Sequence, residues 1–363
     1  MIKILYMDST LKNCGPIFQM LNIIKHLDKE KYCVSVLTLS PETNDSYIEE
    51  FRKLGIKCYS LNLGRIEGIF LALPKLIKYL KRIKPDIIHS QGIRADLLTS
   101  LVNNYCNLRI ITLRNYALED YLALYGFPGY IFGKLHWYVA KLNKHVVACS
   151  EKLAERLVAK GINCFGISNG IDVNKFRPNY TVYKEFKFQR PLFIVLGHLI
   201  KRKNNTCIVN LFDKYFANNK GTLLFVGEGD EKEYLKSLTN KKNIQFLGRV
   251  DNPEYYLQQA DIIISNSKTE GLPNSILEGI SCGLPAVLSN IPSHLEIKEK
   301  MPNEVFIFNI DNENDLLNKI KQALELLLKE TKNNISEKIA EHFSSEKMSN
   351  KYQKLYLKYL NTK

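Results

Sequence analysis

No apolar run in the sequence reaches the ~18 residues that a membrane-spanning helix needs. The opening MIKILYMDST lacks the layout of a signal peptide, so residence in the cytosol is expected. Eight cysteines (14, 33, 58, 106, 149, 164, 207 and 282) are scattered without a CxxC pair. That spacing excludes a disulfide or zinc framework and suits small buried hydrophobes in a reducing compartment. Internal repeats, low-complexity stretches, zinc-finger spacing and RNP-like aromatic strands are all missing. Disordered and collagen-like classes are excluded by a composition of 45% hydrophobic and 24% charged residues, close to the globular average. At roughly 150 residues per domain, 363 residues point to two domains or three.

Charge is present in excess and unevenly. The net is +14, of which residues 1–180 carry +10 and residues 181–363 carry +4. Such an imbalance concerns partners rather than fold: nucleic acid, an anionic membrane surface or a phosphorylated substrate. With no nucleic-acid motif and lysines spread over many surfaces, nucleic acid is set aside.

Short β-branched runs alternate with segments of helical period, the pattern of parallel α/β domains. Strands are expected near Ile2–Met7, Tyr32–Leu39, Lys57–Leu61, Ile87–His89, Arg109–Leu113 and Val146–Cys149. A second series follows at Leu192–Leu196, Gly221–Val226, Ile244–Leu247, Ile262–Ser265, Ala286–Leu288 and Val305–Phe308. Helical patterns lie between, such as Ile17–Leu27, Leu71–Ile83 and Lys152–Lys160, the last with Ser150 as its expected cap. The boundary between two doubly wound domains is expected within Asn169–Arg190, giving domains 1–180 and 190–345. Residues 346–363 read as a helix with Met348, Tyr352, Leu355, Tyr356 and Tyr359 on one buried face.

The most informative stretch is SNSKTEGLPNSILEGISCGLP, Ser265–Pro285, entered from the strand DIII. A turn at the carboxyl end of a parallel strand leads into a helix near Pro273–Asn274, with proline in its favoured first turn. Free N–H groups and the positive end of that helix make an anion site. Glu270 lies in the turn and Glu278 one turn inside the helix.

These residues resemble the E-x7-E signature of the GT-B fold glycosyltransferases, specifically the large retaining family called family 4, of the kind that builds bacterial surface polysaccharide. VLGHLIKRKNN, LLFVGEGDEKEYL, NIQFLGRVDNPEYYLQQADIII, PAVLSNIPSHLEI, PDIIHSQGIRADLL and ISNGIDVNKFRP are similar to further stretches of that family. The resemblance spans nearly the whole chain and is strongest over residues 192–297. It implies an α/β, GT-B architecture: two Rossmann-like domains facing a cleft, with a terminal helix crossing back to the first. It also implies hexosyl transfer from a nucleotide-diphosphate sugar, with retention of configuration, in O-antigen or capsule synthesis. The acceptor would be an oligosaccharide or a glycan linked to polyprenyl diphosphate, and the enzyme would sit peripherally on the inner face of the plasma membrane.

By the same resemblance Lys203 pairs with the donor diphosphate, Glu270 binds hydroxyls of the transferred sugar, and Glu278 binds the ribose. Gly271, Leu272, Asn274 and Ser275 surround the phosphate and sugar with backbone N–H groups. Arg249 and Val250 meet the base, and Gly15 lets the first loop approach the phosphates. Where the family has arginine this chain has His198, so Arg202 or Lys201 is expected to supply the missing charge. His89 and Arg114 are acceptor-side candidates; Arg114 stands where a histidine often lies, which leaves the acceptor-side base unassigned. No carboxylate pair of metal-binding type adjoins a strand end, and neither metal nor other cofactor is expected. Two other readings stay open: a nucleotide-sugar-binding partner without turnover, and a nucleotide-sugar epimerase of the same fold. In Leu71–Lys84 the basic residues Lys75, Lys78, Lys81 and Arg82 share one arc, which suits either solvent or anionic lipid.

Overall fold

The computed structural model describes residues 1–184, 188–216 and 221–361. In chain order the elements are β1 (Ile2–Asp8), α1 (Gly15–Lys25), β2 (Tyr32–Thr38), α2 (Ile48–Lys53), β3 (Lys57–Ser60), α3 (Arg65–Ile83), β4 (Ile87–Gln91), α4 (Ile93–Leu101), β5 (Leu108–Leu113), α5 (Ala117–Leu142), β6 (Val146–Ala148), α6 (Glu151–Val158) and β7 (Cys164–Gly166). They continue with α7 (Tyr180–Lys184), β8 (Leu192–Leu196), α8 (Thr206–Tyr215), β9 (Thr222–Val226), α9 (Lys232–Ser237), β10 (Ile244–Gly248), α10 (Pro253–Gln259), β11 (Ile262–Ser265) and α11 (Asn274–Ser281). The last are β12 (Ala286–Ser289), α12 (Pro292–Lys300), β13 (Val305–Phe308), α13 (Glu313–Leu326), α14 (Lys332–Phe343) and α15 (Ser345–Asn361). The chain divides into two compact units: Met1–Gly170 together with the terminal helix from Ser345, and Ile171–Ser344.

In the first unit seven strands lie in the order β3-β2-β1-β4-β5-β6-β7, all parallel. The order reverses between β1 and β4. In parallel sheets of this kind, ligands bind outside the carboxyl ends of the strands at such a switch point. One face is covered by α1 and α15, whose Met348, Tyr352, Leu355 and Tyr356 join Ile4, Tyr6, Ile17 and Met20 in a single core. Tyr359 is only half-buried at its edge. Each fully buried apolar side chain of this size contributes about 1.5–3 kcal/mol. Hydrogen bonds fix the register of α15: Tyr356 to Tyr6 at 2.8 Å, and Ser349 Oγ donating to the Ile23 carbonyl at 2.8 Å. The other face is covered by α3 and α4, through Leu76, Leu80, Ala95 and Leu98.

The second unit carries six parallel strands in the order β10-β9-β8-β11-β12-β13, with its reversal between β8 and β11. Phe193, Phe212 and Phe225 are fully buried in its core.

Ser150 caps α6 by accepting from the Leu153 N–H at 3.0 Å. Three expectations need correction. The strand β7 has only three residues and no alternation to betray it. α3 begins at Arg65, six residues before its apolar period becomes regular, because Gly64 and Glu67 form a capping arrangement there. Of the cysteines only Cys149 and Cys282 are buried; Cys33 is exposed and the others are half-buried.

Candidate active site

At the switch point of the second unit, β8 runs into Gly197, whose φ of 136° lies in a region that L side chains rarely adopt. The GxG of β9's exit packs directly on this loop: a Cβ on Gly227 would lie 1.9 Å from the Gly197 carbonyl oxygen. These glycines therefore permit two backbones to touch. A single 3-10 turn, Lys201–Lys203, then closes on Asn204, which itself has φ 53°. The loop after β11 is stitched to this turn, with the Lys268 N–H on the Arg202 carbonyl at 2.9 Å and Asn266 Nδ2 on the Asn204 carbonyl at 3.0 Å.

The stitching brings three charges together. Lys203 Nζ lies 2.5 Å from Glu270 Oε1, and Arg202 donates to Glu270 Oε2 at 2.8 Å. Ser267 Oγ donates to Oε1 at 2.8 Å, and Arg202 also reaches the Thr269 carbonyl at 2.6 Å. Glu270 is buried, which raises its pKa, but the two cations and these hydrogen bonds outweigh burial and hold it at about 2. Glu278 is in the opposite situation. On α11 it is half-buried, and burial pushes it up to about 7, with Lys175 opposing and Glu254 adding. Two glutamates eight residues apart thus differ in ionisation because of what each faces. α11 starts at Asn274, and Pro273 stands one position earlier than expected, at the N-cap. Gly271 and Leu272 are buried, and Asn274 and Ser275 are half-buried at the start of that helix.

His198 is exposed, and its pKa is lowered by partial burial and by Lys203, so it brings no positive charge near neutrality. Arg202 supplies the second cation beside Glu270, while Lys201 is exposed. Arg249 is exposed and Val250 half-buried, after the bulge that ends β10. His294 was not foreseen. Its Nδ1 lies 2.9 Å from the Ser289 carbonyl oxygen, and its buried Nε2 has no partner among the described residues. Burial lowers its pKa to about 4, and it feels the charges of Glu270 and Lys203.

The first unit's switch point is built differently. Asp8 ends β1 and Gln91 ends β4, and Gln91 Nε2 donates to Asp8 Oδ2 at 2.8 Å. The same amide donates to the Pro16 carbonyl at 3.2 Å, which ties it to the first turn of α1, where Gly15 is the first residue. Arg114 Nε donates to Gln91 Oε1 at 2.9 Å, and its Nη1 to Asn169 Oδ1 at 3.1 Å. Burial pushes Asp8 up to about 7, against the hydrogen bonds from Gln91 and Ser9. Sequence reading missed Asp8: only strand order reveals that β1 and β4 are neighbours.

His89 is not with these groups. It sits inside β4, buried, with Nδ1 2.7 Å from Tyr356 Oη and Nε2 2.7 Å from Thr112 Oγ1. Burial lowers its pKa to about 3. One ring nitrogen thus meets Tyr356 of α15 and the other Thr112 of β5, so its hydrogen bonds are to packing partners and not to Asp8, Gln91 or Arg114. Among the described residues no three His, Cys, Asp or Glu side chains converge as metal ligands.

The geometry can be set beside known proteins. The family model described as Glycosyl transferases group 1 matches residues 180–342, and Glycosyltransferase Family 4 matches residues 19–175. The O-antigen biosynthesis glycosyltransferase WclY of Escherichia coli is 28% identical over 98% of each chain. An Escherichia coli UDP-Gal:alpha-D-GlcNAc-diphosphoundecaprenol alpha-1,3-galactosyltransferase is 23% identical, with 91% of this chain and 90% of that protein covered. Anabaena HepE, solved with UDP and glucose, superposes with a TM-score of 0.81 at 15% identity, covering 99% of this chain and 100% of that one. With two parallel-sheet Rossmann-like units, an acid–cation site on the second and both family models matched, the chain belongs to the GT-B fold glycosyltransferases.

Proposed function

We propose that this glycosyltransferase moves a sugar from a nucleotide-diphosphate donor to a glycan carried on polyprenyl diphosphate, with retention of anomeric configuration, in the synthesis of a surface polysaccharide. The carrying observation is the Lys203–Glu270–Arg202 cluster, a buried carboxylate held between two cations at a switch point. A bound diphosphate would compete for those cations and free Glu270 oxygens for the sugar's hydroxyls. The bond from the anomeric carbon to phosphate oxygen breaks, and its electron pair stays on the nucleoside diphosphate. The acceptor oxygen bonds to the same face of the carbon, and its proton passes to the departing phosphate. Lys203 and Arg202 stabilise the charge that builds on that phosphate. No protein base is required on this route, and no metal is expected.

The relatives support the acceptor and the pathway by name: WclY for O-antigen, and the galactosyltransferase for a diphosphoundecaprenol acceptor and a UDP-sugar. HepE's bound UDP supports the same donor class. A peripheral site on the inner membrane face follows from such an acceptor. In the test, the purified chain is offered UDP- and GDP-sugars with a synthetic polyprenyl-diphosphate glycan, with and without EDTA, and the product is read by NMR. Retained configuration, undiminished by EDTA, is expected; an inverted product would overturn the retaining route, and conversion of donor without acceptor would favour epimerisation.

A further inference from the structure

Exposed apolar side chains gather on α5 and the first turns of α3 in the first unit. α5 is two helices in one: Gly126, with φ 62° and ψ −143°, breaks it, and Pro128 starts the second part. The two parts fold back on each other. A Cβ on Gly129 would lie 1.8 Å from the Tyr121 carbonyl oxygen, and one on Gly133 would lie 2.9 Å from that of Ala117. Contacts that step back along one part as they step forward along the other define an antiparallel hairpin, and glycines four apart let its backbones touch. Its base is locked to α4: His136 Nε2 is 2.8 Å from the buried Asp96, and the Tyr121 ring stacks on His136. The hairpin is thus rigid at its root, while its far end is apolar and uncovered. Towards the tip Tyr125, Phe127, Ile131 and Phe132 are exposed, Phe127 by 75%, and nearer the root so are Leu135 and Tyr138.

A second apolar display adjoins it. The first turns of α3 expose Ile66, Ile69 and Phe70 by 72–77%. Gly68 of that segment lies against Arg94, in the first turn of α4, and Tyr121 of the hairpin receives a hydrogen bond from the neighbouring Ile93 N–H. Both displays therefore rise beside the same helix start, at the carboxyl end of the sheet.

Charge distribution says what covers this surface. From Tyr121 to Gly133 the hairpin has no charged residue. Behind that stretch come cations laid over aromatic rings: Lys134 Nζ 4.8 Å from the Tyr130 centroid, and Lys141 Nζ 5.3 Å from that of Trp137. The acids Glu119 and Asp120 are confined to the first turn, where Glu119 pairs with Arg156. Along α3, beyond the apolar turns, Lys75, Lys78, Lys81 and Arg82 are exposed. An apolar tip with an aromatic and cationic collar matches the layering of an anionic bilayer surface, and the one acid in the first turns of α3, Glu67, accepts from the Gly64 N–H at the helix cap. No helix among the described residues is long and apolar enough to cross a membrane.

We infer that the Tyr121–Tyr138 hairpin, together with the first turns of α3, inserts into the interfacial layer of an anionic membrane and seats the enzyme there. This deepens the lipid-linked-acceptor reading and rests on it only for the acceptor's location. The test uses the full chain and phosphatidylcholine vesicles with and without phosphatidylglycerol. Parent protein is compared in sedimentation with the quadruple variant Tyr125→Ser, Phe127→Ser, Ile131→Ser, Phe132→Ser, and with one carrying Gln at Lys75, Lys78, Lys81 and Arg82. Because Trp137 is the only tryptophan, Phe127→Trp in a Trp137→Phe background reports on the tip alone.

The parent should bind anionic vesicles, and the serine variant should bind at least about tenfold more weakly while keeping its melting temperature. Emission from the tryptophan introduced at the tip should shift to the blue with vesicles and be quenched by brominated lipid. Undiminished binding by the serine variant, or emission unmoved by vesicles, would overturn the inference; loss in the glutamine variant alone would assign binding to the basic arc. A dimer in ultracentrifugation that the serine variant abolishes, without vesicle binding by the parent, would assign the face to a second copy and overturn it equally. Transfer to a short-chain, water-soluble acceptor is measured in parallel. Vesicle binding by a parent that transfers to no acceptor would count against the functional reading and leave the membrane surface standing.

Discussion

The two units repeat one topology, and each gathers its polar groups where its strand order reverses, yet the groups differ in kind. The second unit's switch point holds a carboxylate between a lysine and an arginine, and the carboxylate stays ionised down to about pH 2. The first unit's holds Asp8 in a chain of amides ending at Arg114, and its carboxyl sits near 7. Cations in direct contact with an acid form a site prepared for a highly charged ligand. An acid that meets only amides and burial has a proton that comes and goes near neutrality, which suits hydroxyl groups. The same fold thus supplies the position, and the side chains supply the difference in charge between the two sites.

Breaking the charged site should have the largest effect. Lys203→Ala is expected to lower kcat by about 10²–10³, the scale for removing one donor to a developing charge, with weaker protection by UDP in a thermal-shift titration. Unchanged kinetics would move the role to Arg202. Glu270→Gln keeps the shape but weakens charge-assisted hydrogen bonds of about 1.5–3 kcal/mol each. Transfer should fall by one to two orders of magnitude, and UDP affinity should hold or rise, since Gln no longer competes for the cations.

The amide-bound acid is sharpened by pH. Asp8→Asn should leave donor affinity intact and erase an ionisation near pH 7 from the acceptor kcat/KM profile; a profile identical to the parent's would remove Asp8 from the acceptor side. Stability separates Glu270 from the two raised acids by sign. Glu270 is depressed below its ordinary 4.5, so its contribution is fully present above pH 4.5 and is lost as pH falls towards 2. Asp8 and Glu278 are raised, so the folded state holds their protons more tightly and stability declines as pH rises from about 4 to about 7. Calorimetry should find the parent's melting temperature falling over that upper window, and a shallower fall in Asp8→Asn and in Glu278→Gln.

The smallest effect concerns packing alone. Tyr356→Phe removes the hydroxyl that joins Tyr6 to His89 and should cost about 1–3 kcal/mol of stability with the UDP response intact. A loss of turnover at full stability would return His89 to the active site.

Much of the second unit was legible in the sequence because its signals are local. A β-branched strand, a Glu-Gly-Leu-Pro turn and a helix start stand within Ile262–Ser281, so the turn carries Glu270 to a strand end whatever surrounds it. The aromatic spacing of the terminal helix likewise marked its buried face. Three features were not legible, each for a reason of distance. His89 looks the same in sequence whether it meets a ligand or Tyr356, 267 residues away. Asp8 gains meaning only when β4 pairs beside β1. The hairpin reads as one apolar segment until Gly129 and Gly133 are seen against the backbone of Ala117–Tyr121.

The sequence by itself determined the parallel α/β character, through periodicity, and the acid-bearing turn, through chemistry packed into some twenty residues. Tertiary structure alone decided that Arg202 and Lys203 meet Glu270 from a different loop, that Asp8 and not His89 stands at the first switch point, and which apolar residues remain outside. Periodicity tells whether a residue has a buried side within its own helix or strand. Whether that side is then covered, and by which charge or ring, depends on other elements, as far away as Tyr356 is from His89.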